Sequence, residues 1–313
     1  MTFDTSRPSA DQLARLQQRF NGEPPPGSGA QPEAHPRRGA NALYEYAVMG
    51  RIRSNEDLLY GTGDADCFDE LAEIAEPEKW DGPDSRGRPG NRILRNYIRY
   101  TFERLHQQNM VAVNSAETYS AFNTGLATPN QQTIYGLFVP HHRQEGKWYF
   151  RGWRVHSDRE FMQNFDVLPE FATYTDNPAD YIYDWHRELV VNVDHIIDDL
   201  GNLERFPPQI RSNPHLARMA LTGAKDGAEA RVRRNYKAAV PSWYPTRDEV
   251  QLLLPLSLIA PERVDLALAV SREGEFYRGH TVLTMEMAYS NARLLARPDS
   301  DWLIPRSTEG VPA

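Results

Sequence analysis

The sequence predicts an α+β fold: a largely antiparallel sheet, or sheets, with N-terminal and intervening helices. Three observations predict it. The apolar spacing is helical in the first third of the chain, switches to a period of two, returns to helical, and switches again. Within the strand clusters the connections are short and rich in turn residues, which favours antiparallel pairing. Strands arrive in clusters and do not alternate singly with helices, so βαβ units are not expected.

Taken in order, residues 1–40 are expected to be a mobile Pro/Gly-rich arm. Leu13, Leu16 and Phe20 have the spacing of a short helix, but Pro24-Pro25-Pro26-Gly27-Ser28-Gly29 and the stretch from Pro32 to Pro36 break regular structure, so Gly22–Gly39 reads as a linker. From Ala42 onward, Leu43, Tyr46, Ala47 and Ile52 can line one helical face, and Asn55-Glu56-Asp57 suits the start of a following turn. Phe68–Ala75 is a short helix stopped near Pro77, and Asp81–Gly90, with two prolines and three glycines, is a loop. Ile93–His106 is the clearest helix, with Leu94, Ile98, Thr101, Phe102 and Leu105 as its core stripe. Strands are expected at Met110–Val113, Tyr119–Phe122, Thr133–Val139 and Lys147–Val155, with Gly125, Pro129-Asn130 and Glu145-Gly146 in the connections. A helical or irregular stretch follows, including Leu189–Leu200 and Asn213–Ala239. Strands resume at Val250–Leu258, Val264–Val270 and Thr281–Met287, and Ala288–Leu295 is a last helix. Residues 41–303 are expected to form a single α+β domain, with 304–313 as a tail.

Composition narrows the function classes. The 313 residues are 40% hydrophobic and 25% charged, which is apolar enough to fold. A formal charge of −8 repels phosphate at long range and argues against broad nucleic-acid binding, although local basic patches can still bind. Lysine stands only at Lys79, Lys147, Lys225 and Lys237, and the remaining positive side chains are Arg. A GC-rich genome gives that bias through codon use, so Arg alone does not mark phosphate. The single Cys67 cannot form an internal disulfide, which agrees with a reducing cytoplasm. No charged-then-apolar leader opens the chain, and no apolar run nears the roughly 20 residues of a membrane span. The expectation is a cytoplasmic protein with no membrane partner.

Strong catalytic signatures are missing: there is no GxxxxGK(S/T) loop, GxSxG elbow or HExxH helix, and no GxGxxG after a strand. Gly61-Thr62-Gly63 is a lone turn, and Cys67 sits among Asp64, Asp66, Asp69 and Glu70, whose charge disfavours a thiolate. Arg92, Arg95 and Arg99 share a helical face, preceded by Arg86 and Arg88, and read either as a phosphate grip or as a solvated face paired with acids. Arg231-Val232-Arg233-Arg234-Asn235-Tyr236-Lys237 is denser. Four like charges in seven residues destabilise a helix unless buried carboxylates or a bound anion neutralise them. Arg231, Arg234 and Lys237 are therefore the candidate phosphate ligands.

A third constellation runs from Asn192 to Asp199. On a helix, Asp194 stacks with Asp198 and His195 with Asp199, which makes Asp194, His195 and Asp198 candidate ligands for a divalent metal. The alternative is an amphipathic helix with Val190, Val193, Ile196, Ile197 and Leu200 buried and the acids in water. Trp148, Tyr149, Phe150 and Trp153 interleave with Lys147, Arg151 and Arg154 as in an RNA-stacking platform. Against that, alternation sends Trp148 and Phe150 to one face and Tyr149 and Arg151 to the other, and one of these faces is expected to be core.

Five segments taken together carry a family resemblance. They are Phe122-Asn123-Thr124-Gly125-Leu126, Ile134-Tyr135-Gly136-Leu137-Phe138, Arg231–Lys237, Val250–Leu258 and Thr284–Leu295. Their combination resembles the family called domain of unknown function 3825, over roughly Ala42–Trp302. The resemblance implies one continuous unit and no particular catalytic residue. It also implies an RNA context, since members stand beside RNA-binding or RNA-processing modules in larger proteins. It directs attention to Asn123-Thr124-Gly125, read as a turn between two strands, and to Asn291 and Arg293 after the last strand. The leading expectation is an RNA- or nucleotide-recognising protein that holds phosphate with Arg231, Arg234 and Lys237. Asn123 and Thr124 would position sugar or phosphate oxygens, Arg293 would join the binding set, and any catalysis would be phosphoester or nucleotidyl chemistry. The rivals are a metal-dependent hydrolase using Asp194, His195 and Asp198, and a non-catalytic interaction scaffold whose Arg clusters answer its acids. Oligomeric state stays open.

Overall fold

The computed structural model describes residues 42–49, 65–80, 91–142, 146–298 and 302–303. The expected arm, tail, Asn55-Glu56-Asp57 turn, Gly61-Thr62-Gly63 turn, 81–90 loop, Arg86 and Arg88 lie outside the described residues.

Helix α1 (Ala42–Tyr46) leads into the two-residue strand β1 (Ala47–Val48), and α2 (Ala65–Ile74) and α3 (Arg92–Gln107) follow. Strands β2 (Ala112–Val113), β3 (Ser120–Ala127), β4 (Thr133–Pro140) and β5 (Trp148–Val155) complete a sheet of order β1-β5-β4-β3-β2. Helix α4 (Arg159–Asn164) and a 3-10 turn (Pro178–Tyr181) connect it to β6 (Glu188–Val191). Then come α5 (Val193–Asp198), α6 (Leu200–Leu203), α7 (Pro208–Arg211) and the long α8 (Pro214–Arg234). Strands β7 (Val240–Tyr244), β8 (Glu249–Leu256), β9 (Leu266–Glu273) and β10 (Phe276–Thr284) build a second sheet of order β6-β10-β9-β8-β7, closed by α9 (Met285–Arg293). The short edge strands pair in parallel, β1 with β5 and β6 with β10, and the remaining pairings are antiparallel. The expected α+β class with largely antiparallel sheets is what the chain forms.

The main core shares both sheets. Leu94, Ile98, Phe102 and Leu105 of α3 are fully buried and cluster with Phe122, Phe138 and Phe150, and the same cluster takes in Leu253, Ala267, Ala269 and Leu283 with Ala288 and Ala292 of α9. Strand alternation supplies the opposite faces. Leu252, Leu254, Leu266 and Leu268 turn to Ala217, Leu221, Ala228 and Val232 of α8, and Ala121, Tyr135 and Leu137 turn to Phe161 and Phe165.

Several elements depart from the sequence reading. Leu189–Val191 extends as β6 beside β10 and is not helical. Asn192 then caps α5, its Oδ1 accepting from the His195 N–H at 3.0 Å, and Asp199 caps α6 in the same way, so the expected helix is short and broken. Val240–Tyr244 is an edge strand, which suits Pro241, and Ala47–Val48 pairs with β5 and does not extend a helix. Met285–Met287 belong to α9, because Thr284 Oγ1 accepts from the Met287 N–H at 3.3 Å and starts the helix there.

Of the two readings of the β5 aromatics, the core face is the one that forms, for Phe150 and Trp153. The register shifts between Leu137 and Phe138, and Gly152 (φ 139°) breaks the alternation, so Phe150 and Trp153 both enter the core. Trp153 Nε1 donates to the Cys67 carbonyl at 2.6 Å, and Arg151 and Arg154 bind Glu160. No helix among the described residues is long and apolar enough to cross a membrane.

Candidate functional site

Helix α8 presents the first candidate. Its small buried residues, Ala217, Ala224 and Ala228, let it lie close to β8. On the exposed side, Gly223 and Gly227 sit one turn apart and leave open space where a Cβ would stand. That space belongs to a cavity of about 450 Å³, walled by Gly223, Gly227, Arg231 and Arg234 on one side and the Ser257–Pro261 segment on the other. The buried Asp265 pins that segment, its Oδ2 accepting from the Leu258 and Ile259 N–H groups at 2.9 and 3.1 Å. Arg231 is half-buried and Arg234 exposed. Among the described residues, neither pairs with a carboxylate. Their charge is supported instead by the last turn of α8, where the helix dipole favours cations, and this consumes few guanidinium donors.

Lys237 goes elsewhere. Asn235 ends α8 and starts a 3-10 turn, its Oδ1 accepting from the Lys237 N–H at 3.1 Å. Lys237 then lines a separate depression of about 240 Å³ with Tyr236, Leu295 and Arg297.

Asn123, Thr124 and Gly125 lie inside β3 and do not form a turn between strands. The pairing with β4 shifts between Asn123 and Ala127, which makes the motif a bulge. Asn123 and Thr124 are buried, and their polar atoms are used inside the fold. Asn123 Nδ2 donates to the Pro169 carbonyl at 3.0 Å, and its Oδ1 accepts from the Gly125 N–H at 2.9 Å. Thr124 Oγ1 donates to the Ile134 carbonyl at 2.6 Å and accepts from the Leu126 N–H at 3.1 Å. Gly125 (φ 72°) occupies the left-handed region, and a Cβ there would overlap the Tyr97 hydroxyl.

Tyr97 passes this accommodation on to Arg293. The guanidinium carbon of Arg293 lies 4.4 Å from the Tyr97 ring centroid and 4.9 Å from that of Trp80. Arg293 Nε donates to Glu78 Oε1 at 2.7 Å, and the Tyr289 hydroxyl donates to the same oxygen at 3.0 Å. The pair is deeply buried, with 7% of the Arg293 side chain and 5% of the Glu78 side chain exposed. A cavity of about 300 Å³ opens beside it, lined by Glu76, Glu78, Trp80, Tyr97, Arg293 and Arg297. It adjoins the Lys237 depression at Leu295, Ala296 and Arg297.

The electrostatics of this pocket hold its phenols neutral. Burial pushes the Tyr97 phenol up, with Arg293 pulling the other way. Burial and the charge of Glu78 push Tyr289 up to about 12. For Arg293, burial acts to lower the value, but Tyr97 and Glu78 outweigh it and hold the guanidinium above its ordinary range. Sequence reasoning named Arg293 but missed Glu78, Trp80, Tyr97 and Tyr289. The ion pair joins residues 215 positions apart, and no local pattern announces it.

The candidate metal ligands do not converge. Asp194 and Asp198 are largely exposed and both meet Arg218, Asp198 at 3.6 Å, while His195 is exposed on the same short helix. Among the described residues, no group of three or more His, Cys, Asp or Glu side chains is placed to hold a metal ion. The α3 arginines are engaged by protein: Arg92 meets Glu286 at 3.3 Å, Arg95 lies over Phe68 and Arg99 over Tyr44. Cys67 is buried.

A family model described as Domain of unknown function (DUF3825) matches residues 71–302. No curated protein and no solved structure matches the chain.

Proposed function

Because the chain belongs to the family described as a domain of unknown function (DUF3825), its chemistry has to be read from its own side chains, and we propose that it recognises nucleotide phosphate, free or within RNA, at the Arg231–Arg234 cavity. The observation that carries this reading is a pair of arginines lining a cavity with no carboxylate partner among the described residues. A scaffold whose arginines answered its own acids would fill this space with ion pairs. The planar guanidinium fork matches phosphate geometry, and the glycine floor lets a ligand approach the helix closely. Lys237 and Arg293 line other depressions, and Asn123 and Thr124 support the fold around Arg293, so the phosphate site contracts to Arg231 and Arg234.

Calorimetric titration with pyrophosphate and with nucleoside mono- and triphosphates tests the proposal. Each charge-assisted contact contributes about 1.5–3 kcal/mol, so the Arg231→Ala/Arg234→Ala double variant loses about 100-fold or more in affinity. Undiminished affinity would remove the proposal. With labelled single-stranded RNA, the slope of log K against log salt becomes shallower by about 1.4 in the same variant, as expected when two phosphate contacts are lost.

The glycines supply an independent check. Gly223→Ala/Gly227→Ala raises stability by about 1–2 kcal/mol in urea unfolding, because Ala is the better helix former and open space awaits both methyl groups. Gly223→Leu/Gly227→Leu fills the cavity and weakens phosphate binding at least about tenfold, by the steric exclusion a filled pocket imposes. Unchanged phosphate affinity in the Leu variant would count against the cavity as the binding place.

A further inference from the structure

We propose that the Arg293 cavity is a second binding site, for a neutral planar heterocycle with an amide-type edge, the chemical class to which the nucleobases belong. The inference is independent of the phosphate reading, since it concerns different residues and a ligand that needs no phosphate.

Size sets the scale. A volume of about 300 Å³ suits a small ring system and excludes a polymer segment. Charge then restricts the class. Glu78 and Arg293 neutralise each other at 2.7 Å, so the walls carry no net buried charge for an ionic ligand to answer. A carboxylate would be set against Glu78, and an ammonium against Arg293. A neutral ring meets neither penalty.

The unspent hydrogen-bonding capacity points the same way. Trp80 is 4% exposed, and its indole N–H is buried without a partner among the described residues. Both hydrogen bonds to Glu78 fall on Oε1, which leaves Oε2 without a donor among the described residues. Residues lining one cavity thus hold a buried spare donor, which a native interior seldom leaves unmet, and an acceptor oxygen that receives no donor from the described residues. A lactam edge, with N–H beside C=O, offers the complement of both. Leu126 and Leu295 supply apolar wall for the ring faces, and the exposed Arg297 stands at the rim, where a sugar or its substituents would emerge.

The test titrates the full chain with guanosine and uridine, followed by calorimetry and by tryptophan fluorescence. Benzothienylalanine incorporated in place of Trp80 keeps the bicyclic ring over Arg293 and replaces only the N–H, by sulfur. It is expected to weaken nucleoside binding about tenfold, the effect of one lost hydrogen bond. The melting temperature should stay unchanged, because that N–H makes no bond in the free protein. A structural role alone would give the opposite pattern, a lower melting temperature and no effect on ligand. Ala296→Trp covers the mouth from an exposed position and is expected to block binding without touching the Glu78–Arg293 pair. Pyrophosphate affinity should be unaffected in both variants. Absence of nucleoside binding by the unaltered chain at millimolar concentration overturns the proposal, and so does binding that survives Ala296→Trp.

Discussion

Arg293→Met lowers the stability of the chain by about 3–5 kcal/mol, the loss expected when one partner of a buried ion pair is removed and the other is left behind. Met keeps most of the volume, so the loss comes mainly from charge and not from a cavity. What is stranded is Glu78, 5% exposed at its side chain, with only the Tyr289 hydroxyl still donating to it. The guanidinium also leaves the faces of Trp80 and Tyr97, which removes two cation–π contacts from the same spot. Urea unfolding monitored by tryptophan fluorescence measures the effect, and in a domain of this size the melting point falls by about 10 °C. Glu78→Leu combined with Arg293→Met recovers much of the loss, because replacing both charges removes the unpaired one. A loss below about 1 kcal/mol in the single variant would mean that water reaches Glu78 and that the pair is not a buried one.

Gly125→Ala destabilises by about 3 kcal/mol, from two sources that a double-mutant cycle separates. An alanine in the left-handed region costs about 1–2 kcal/mol wherever it occurs. The rest is specific to this fold: the new Cβ overlaps the Tyr97 hydroxyl, which Arg293 and the α3 packing hold in place. In a Tyr97→Phe background the overlap is relieved, and the same substitution should cost only the backbone part. Equal costs in both backgrounds would sever the proposed link between the β3 bulge and the Arg293 pocket.

The two substitutions act on one assembly. Asn123, Thr124 and Gly125 shape a bulge, the bulge makes room for Tyr97, Tyr97 flanks Arg293, and Arg293 ties α9 to Glu78. The sequence directed attention to both ends of this chain of contacts through a family resemblance, and read them as ligand contacts. Hydrogen-bond accounting assigns Asn123 and Thr124 a different task, since their donors and acceptors are already used inside the fold. The Arg231 segment shows the converse. Its charge density is plain in the sequence, but whether acids or open space surround it is a tertiary fact.

What the sequence determined by itself is local. The helical stripe of α3, the short apolar runs of β3, β4, β5, β8 and β9, and the turn chemistry between them are written over a few neighbouring residues, where backbone geometry dictates which side chains share a face. These were enough for the α+β class. Where a cap or a pairing partner decided, local reading failed: Asn192 and Asp199 cut one expected helix short, Thr284 moved the start of another, and β6 exists because β10 offers it an edge. Only the tertiary structure decided the sites. It separated Lys237 from Arg231 and Arg234, buried Phe150 and Trp153 of β5, set Arg218 against Asp194 and Asp198, and brought Glu78 to Arg293 across 215 residues. The physical reason is that periodicity reports which face of an element is apolar, whereas burial of a charge, and the partner that compensates it, depend on elements arriving from distant parts of the chain.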